Sequence, residues 1–253
     1  MKNSSINKAC AVLVLILAAS SVRATVYQER DEINRRFTLP PKARVEVSAI
    51  SGSIDVKAID GEMAIVQIER TAPSRAELDC NKVVLEQESG NLLIKGETVG
   101  CKNRNIEGTY RVQLSLPRTV DVSVHGVSGP VNIGEIDGAL RISGNSGNIN
   151  LAQFGSGTSI WGNSGTITIQ LRQLDAGGFK LSGNSGAIKL YIADELNLDV
   201  KVSGISGSVS SDLPNVQFNK TGAAHYHARV GSGGPTINVD GSSGSVLLSR
   251  YRE

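Results

Sequence analysis

The strongest constraint on this chain is a short phrase, Gly-x-Ser-Gly followed by alternating aliphatics, that recurs five times between Val122 and Ser211. Its copies are Gly126-Val127-Ser128-Gly129, Gly144-Asn145-Ser146-Gly147, Gly162-Asn163-Ser164-Gly165, Gly183-Asn184-Ser185-Gly186 and Gly204-Ile205-Ser206-Gly207. From one motif serine to the next the steps are 18, 18, 21 and 21 residues. Turn residues at a near-fixed period, with period-two hydrophobics on both sides, describe a chain that coils and stacks on itself, since one such unit cannot bury its apolar face alone. The expectation is an all-β fold: a parallel β-helix-like solenoid of about ten coils, with 18–21 residues per coil.

The phrase also occurs outside the core, at Ser51-Gly52, Ser89-Gly90 and Ser243-Gly244. The steps from Ser51 to Ser89, Ser89 to Ser128 and Ser206 to Ser243 are 38, 39 and 37 residues, close to twice the core period. The coil is therefore expected to run through these gaps in chain order, each with one motif-free turn. Asp60-Gly61 follows Ser51 by nine residues, as Asp137-Gly138 follows Ser128, which fixes the phase. About ten steps at about 4.8 Å per stacked strand give a rod on the order of 50 Å long.

The residue types follow from stacking. Along Leu140-Arg141-Ile142-Ser143 alternate side chains point inward and outward, and the inward ones are Ile, Val and Leu, which suit a pleated surface. The glycines flank a bend in which a residue needs positive φ. At the x position the central coils carry Asn145, Asn163 and Asn184. In register, these amides are expected to hydrogen-bond along the rod as an asparagine ladder.

Residues 1–24 read as a secretory leader: Lys2 and Lys8, an apolar run from Ala9 to Ala19, and Val22-Arg23-Ala24 before cleavage at Ala24–Thr25. The apolar run is too short to span a bilayer, and Cys10 is not placed as a lipoprotein cysteine, so no membrane anchor is expected. Residues 25–35 read as a polar lead-in, extended or loosely ordered. Residues 36–253 read as one solenoid domain with its core repeats at 122–211. Loss of the leader removes Lys2, Lys8 and Arg23 and no acid, so the formal net charge falls from +2 to −1. A near-neutral chain without a basic tract argues against a nucleic-acid partner. Cys80 and Cys101 remain, and an even pair in an exported protein reads as a disulfide. Ser74 with Glu77 forms a capping box for one or two turns of helix before Cys80, and Asp212 to Thr221 reads as irregular.

The run from Tyr110 to Ile133, the later Gly-Asn-Ser-Gly turns and the closing Gly231-Ser-Gly-Gly-Pro-Thr-Ile-Asn-Val239 together resemble a bacterial β-solenoid family labelled as adhesins and of unknown function. The resemblance covers Phe37 to Leu248. It implies an exported rod with a non-catalytic role, and it brings no active site to carry over.

Catalytic and metal readings are weak. A nucleophilic serine is needed once, whereas this serine recurs in every well-formed coil, with no His–Asp pair assigned to any copy. His225-Tyr226-His227 puts two imidazoles on one strand face, but the only other histidine is His125, so neither a metal nor another cofactor is expected. Stacked in chain order, the outward columns read Asn132, Asn150, Thr168, Lys189, Ser210; Ser123, Arg141, Ser159, Lys180, Lys201; and His125, Ser143, Trp161, Ser182, Ser203. None of these is a carboxylate, which argues against glycoside hydrolysis on these faces. Trp161 is the odd member. Either a neighbouring loop such as Gln153 to Gly157 covers it, or its indole, beside Arg141 and Lys180, stacks on a sugar or meets a partner. The leading expectation is a non-enzymatic envelope protein, adhesin-like or scaffolding, that presents polar faces to an envelope protein or glycan. The alternatives are a polysaccharide-active β-helix enzyme and an accessory of an envelope-stress system.

Overall fold

The computed structural model describes residues 28–101, 108–155 and 157–251. The expected leader and its cleavage point, Ala24–Thr25, lie outside the described residues.

The chain begins with β1 (Glu29–Thr38), β2 (Arg44–Ser48), β3 (Gly52–Ile59), β4 (Met63–Ala72), the helix α1 (Arg75–Cys80), β5 (Asn81–Glu88), β6 (Asn91–Thr98) and β7 (Thr109–Pro117). The repeat follows as strand pairs, one pair per coil: β8 (Asp121–His125) with β9 (Val131–Ile133), and β10 (Leu140–Ser143) with β11 (Ile149–Leu151). Next come β12 (Thr158–Trp161) with β13 (Ile167–Leu171), β14 (Phe179–Ser182) with β15 (Ile188–Ile192), and β16 (Leu198–Ser203) with β17 (Val209–Ser211). The chain ends with β18 (Val216–Gly222), β19 (His225–Val230), β20 (Thr236–Asp240) and β21 (Val246–Arg250). Among the described residues these form a ten-stranded sheet, β1-β4-β7-β3-β9-β11-β13-β15-β21-β17, and an eleven-stranded sheet, β18-β19-β16-β20-β14-β12-β10-β8-β2-β6-β5. The fold is an all-β parallel solenoid.

Each coil crosses from one sheet to the other at its Ser–Gly corner, and the aliphatics of both sheets meet between them. Ile54, Val131, Ile149, Ile167, Ile188 and Val246 are in register and buried. The cluster they belong to is continuous from Leu39 to Leu248. At about 1.5–3 kcal/mol for each aliphatic taken out of water, this column is what holds the coils together.

The two motif glycines have different causes. Gly162 has φ of 66°, a left-handed conformation that disfavours any Cβ. Gly165 sits so close to the coil beneath it that a Cβ there would lie 2.3 Å from the carbonyl oxygen of Gly147. Ser128 N donates to Ile50 O, Ser146 N to Val127 O, Ser164 N to Asn145 O, Ser185 N to Asn163 O, Ser243 N to Asn184 O and Ser206 N to Ser242 O, at 2.9–3.1 Å. The corners therefore stack in the order 51, 128, 146, 164, 185, 243, 206.

That order corrects the chain-order expectation at both ends. Ser51 lies directly on Ser128, with 3.3 Å between their hydroxyls. The intervening chain does not continue as coils but leaves to build one end of the rod. Ser89 and Gly90 are not a corner: with φ of 51° and 81° they turn the antiparallel hairpin of β5 and β6, a geometry suited to two-residue hairpins. At the far end β20 sits between β14 and β16, and β21 between β15 and β17, so the last coil of the sequence is inserted beneath the one before it. Two further expectations change. The lead-in 25–35 includes most of β1, which pairs antiparallel with β4 from Glu29 onward. The stretch 212–221, expected to be irregular, holds most of β18, hydrogen-bonded to β19. At the N-terminal end both sheets finish in antiparallel strands, β1 and β5; at the other end the eleven-stranded sheet finishes in the antiparallel β18 and the ten-stranded sheet in the short parallel strand β17.

At the N-terminal end Ser74 caps α1, its hydroxyl accepting from Glu77 N at 3.3 Å. Arg70 pairs with Asp31 and donates to Asn81 O, tying α1, β1 and β4 together. Cys80 and Cys101 are disulfide-bonded with their Cα atoms 5.9 Å apart.

Candidate functional site

The x positions of the corners form an inward column that reads Ile50, Val127, Asn145, Asn163, Asn184, Ser242, Ile205 in stacking order. The three asparagines are 1–2% exposed. Asn145 Nδ2 donates to Asn163 Oδ1 at 3.1 Å and to Gly147 O at 2.9 Å. Asn163 Nδ2 donates to Gly165 O at 2.6 Å, and Asn184 Oδ1 accepts from the backbone N–H of Asn163 at 3.3 Å. Asn145 and Asn163 thus bond to their own turns, and a single amide-to-amide bond links their two coils, while Asn145 Oδ1 and Asn184 Nδ2 are buried without a hydrogen-bond partner. The column is buried and structural, not a binding surface. The corner serines 51, 128, 146, 164, 185, 206 and 243 are exposed.

The outward face of the eleven-stranded sheet has different chemistry. One column runs Glu46, Ser123, Arg141, Ser159, Lys180, Asn238, Lys201, His227. Its neighbour runs Ser48, His125, Ser143, Trp161, Ser182, Asp240, Ser203, His225. The inserted strand β20 therefore adds Asn238 and Asp240 to columns that chain order leaves without them, and β2 adds Glu46. On the ten-stranded sheet β3 likewise adds Asp55, which accepts from Asn132 Nδ2 at 2.7 Å. The carboxylate-free census is corrected on all three columns, because it assumed that neighbours in sequence are neighbours in the stack.

Trp161 is 43% exposed, on the strand between those of Arg141 and Lys180. Lys180 pairs with Asp240 at 3.1 Å and Arg141 with Asp121 at 4.0 Å, both at the surface. Lys201 has no ionic partner among the described residues. Asp199 is 13% exposed at its side chain and accepts from His227 Nε2 at 2.7 Å, Arg229 Nε at 3.1 Å and Gly234 N at 3.1 Å. Burial pushes the Asp199 carboxyl up, but the Gly234 N–H, His227 and Arg229 outweigh it and hold it below the usual carboxylate range. The Ser203 hydroxyl, with Lys180, lowers Asp240 against a smaller effect of burial. His227 is thus committed to Asp199, and among the described residues no three His, Cys, Asp or Glu side chains converge as metal ligands. A surface depression of about 570 Å³ lies over β2, β5 and β6, and Trp161 is not among the residues that line it. Trp161 stands in the outward column of this sheet between Ser143 and Ser182, small neighbours that leave its ring open to solvent.

A model of the family described as Toastrack DUF4097 matches residues 23–249. The chain belongs to the Toastrack DUF4097 family. No curated protein matches this Toastrack chain in sequence. Among solved structures, a cell-adhesion candidate from Clostridium sporogenes is similar at 10% identity and TM-score 0.47, over 87% of this chain and 100% of the other. An adhesin candidate from Bacteroides fragilis is similar at 13% identity and TM-score 0.46, over 86% and 97%. A lipid-binding candidate from Parabacteroides distasonis has 12% identity and TM-score 0.29, over 88% and 97%. Among the described residues no helix is long and apolar enough to cross a membrane.

Proposed function

We propose that this Toastrack protein is an exported, non-catalytic binding rod of the cell envelope, adhesin-like, and that it holds a glycan on the outward face of its eleven-stranded sheet. The observation that carries this reading is Trp161: a large aromatic ring, 43% exposed, on the outward face of a parallel sheet whose neighbouring strands present Arg141 and Lys180. An indole with one wet face and polar flanks suits a sugar ring, which offers C–H groups to the aromatic face and hydroxyls to the flanks. The leader-like N-terminus and the Cys80–Cys101 bond support export.

The carboxylate that β20 brings to the surface, Asp240, reopens the enzyme reading, yet its environment argues against it. A glycosidase needs a general acid whose pKa is raised. Asp31, Asp199 and Asp240 are all shifted the other way by hydrogen-bond donors and cations. These acids are held ionised and serve as anchors for neighbouring side chains. The test is retention of the purified protein on immobilised envelope glycans. Trp161→Ala abolishes retention if the reading is right, and unchanged retention rejects it.

A further inference from the structure

Arg141, Lys180 and Lys201 share one outward column and stand two strands apart, with Ser159 between the first pair and Asn238 between the second. At about 4.8 Å per strand the cations recur every ~10 Å along the rod axis. Sequence order would leave Lys180 and Lys201 on adjacent strands, and only the insertion of β20 separates them. Trp161 lies in the next column, on the middle strand between Arg141 and Lys180. The cation column therefore reads cation, neutral, cation, neutral, cation, with Trp161 beside its first neutral position and Asp240 beside its second. Its lower limit is set by Glu46, two strands below Arg141.

We infer that this face binds a linear acidic polysaccharide carrying one carboxylate per disaccharide, laid along the rod axis across the strands. The inference rests on the glycan-binding reading above and adds its charge and direction. A β-linked disaccharide is about as long as two strand spacings, so carboxylates on alternate sugars fall on successive cations while the uncharged sugar between them lies over Trp161. From Arg141 to Lys201 the track spans four spacings, about 19 Å, enough for two such repeats. The acids beside the track keep their charge: Asp121 and Asp240 pair with Arg141 and Lys180 at the surface, and a ligand carboxylate competes with them for these cations. Asp199 is held by His227, Arg229 and Gly234, and Asp240 accepts from Ser203 at 2.5 Å. The Lys180–Asp240 pair is surface-exposed, so exchanging it for a ligand carboxylate changes little.

The test measures binding of matched-length hyaluronan, polygalacturonate and uncharged cello-oligosaccharides to the full protein. Hyaluronan, with a carboxylate on every second sugar, is expected to bind most tightly and to weaken as salt rises. Arg141→Gln, Lys180→Gln and Lys201→Gln each weaken it about two- to fivefold, and the triple variant more than tenfold. Asn238→Lys fills the second neutral position and shifts preference towards polygalacturonate, which is charged on every sugar. All four side chains point outward, so unchanged thermal melting verifies the fold of each variant. Equal binding of the uncharged chain, or a triple variant that binds as the parent does, overturns the inference. Cello-oligosaccharide binding that depends on Trp161 alone overturns it too, but leaves the proposed function standing. If no glycan binds, the inference falls, and retention of the Trp161→Ala variant on envelope glycans then decides the proposed function separately.

Discussion

The backbone amide of Ser243 donates to the carbonyl of Asn184 at 2.9 Å, which seats the last corner of the chain directly on a coil some sixty residues earlier. The coil of Ser206 then sits on Ser243 and never touches the coil of Ser185. Truncation after Val230 removes β20 and β21 and with them the only parallel partner of β16 among the described residues. Limited trypsin digestion of that variant is expected to cleave at Lys201 and Lys220 while the stack up to β15 stays protected. Full protection of β16 would show that it re-docks on β14, and that the inserted coil is not required.

The glycine pair predicts opposite outcomes at two corners. Gly165→Ala forces a Cβ against the Gly147 carbonyl and is expected to destabilise by about 1–3 kcal/mol. Ala49, with φ of 53°, occupies at the Ser51 corner the place that glycine holds elsewhere. Ala49→Gly relieves that strain and is expected to stabilise by about 1 kcal/mol. Urea unfolding midpoints at constant slope check both.

Asn163 is the middle member of the buried amide column: its Oδ1 accepts from Asn145 Nδ2 and its Nδ2 donates to Gly165 O, while its backbone N–H donates to Asn184 Oδ1. Asn163→Ala takes the side-chain donor from Gly165 O and one of the two acceptors from Asn145 Nδ2, while the backbone bond to Asn184 stays, and is expected to lower stability by about 1–3 kcal/mol. Asn163→Val restores packing but not the bonds, and is expected to recover only part of the loss in the same unfolding assay.

The Cys80–Cys101 bond joins residues 21 apart in sequence. Reduction, or Cys101→Ser, is expected to lower stability by about 3 kcal/mol. The loss is expected to concentrate at the N-terminal end, where hydrogen exchange quickens in α1 and β5 while the amides of β11 and β13 stay protected.

Acid acts through Asp31, Asp199 and Asp240, whose folded-state pKa values are lowered by Arg70, by Gly234 with His227 and Arg229, and by Ser203 with Lys180. A lowered folded pKa contributes stability in full above the unfolded carboxyl value, about pH 4, and loses it as pH falls through the folded value. Stability is therefore expected to be flat in these groups from pH 7 to about 5 and to drop below about 4. Asp199→Asn is expected to be less stable than the parent at pH 7, with the gap closing near pH 2. A gap independent of pH would show that the charge of Asp199 plays no part.

Much of the solenoid was legible because its determinants are local. A corner needs glycine where φ is positive or where two backbones nearly touch, as at Gly162 and Gly165, and any coil that meets those needs carries the phrase. The inward–outward alternation around Ile142 and Ile149 follows from the two-residue period of a strand. The exposed indole of Trp161 could be placed on a face by the same rule, because its strand and the two beside it stack in chain order. Ser89-Gly90 misled for a related reason, since a hairpin turn and a solenoid corner both require glycine and a small polar residue.

What the sequence by itself determined, then, is the cross-section of the rod: its period, its apolar interior, its serine corners and its buried asparagines. The order in which coils stack was decided only in three dimensions. An aliphatic column accepts any coil of the right width, so nothing in the repeat says that β20 belongs between β14 and β16, or β3 beside β9. That choice is expressed in contacts across long sequence separations, such as Ser243 N with Asn184 O and Ile54 beside Val131. It is also the choice that brings Asp240 beside Lys180 and sets Lys201 one strand further from it.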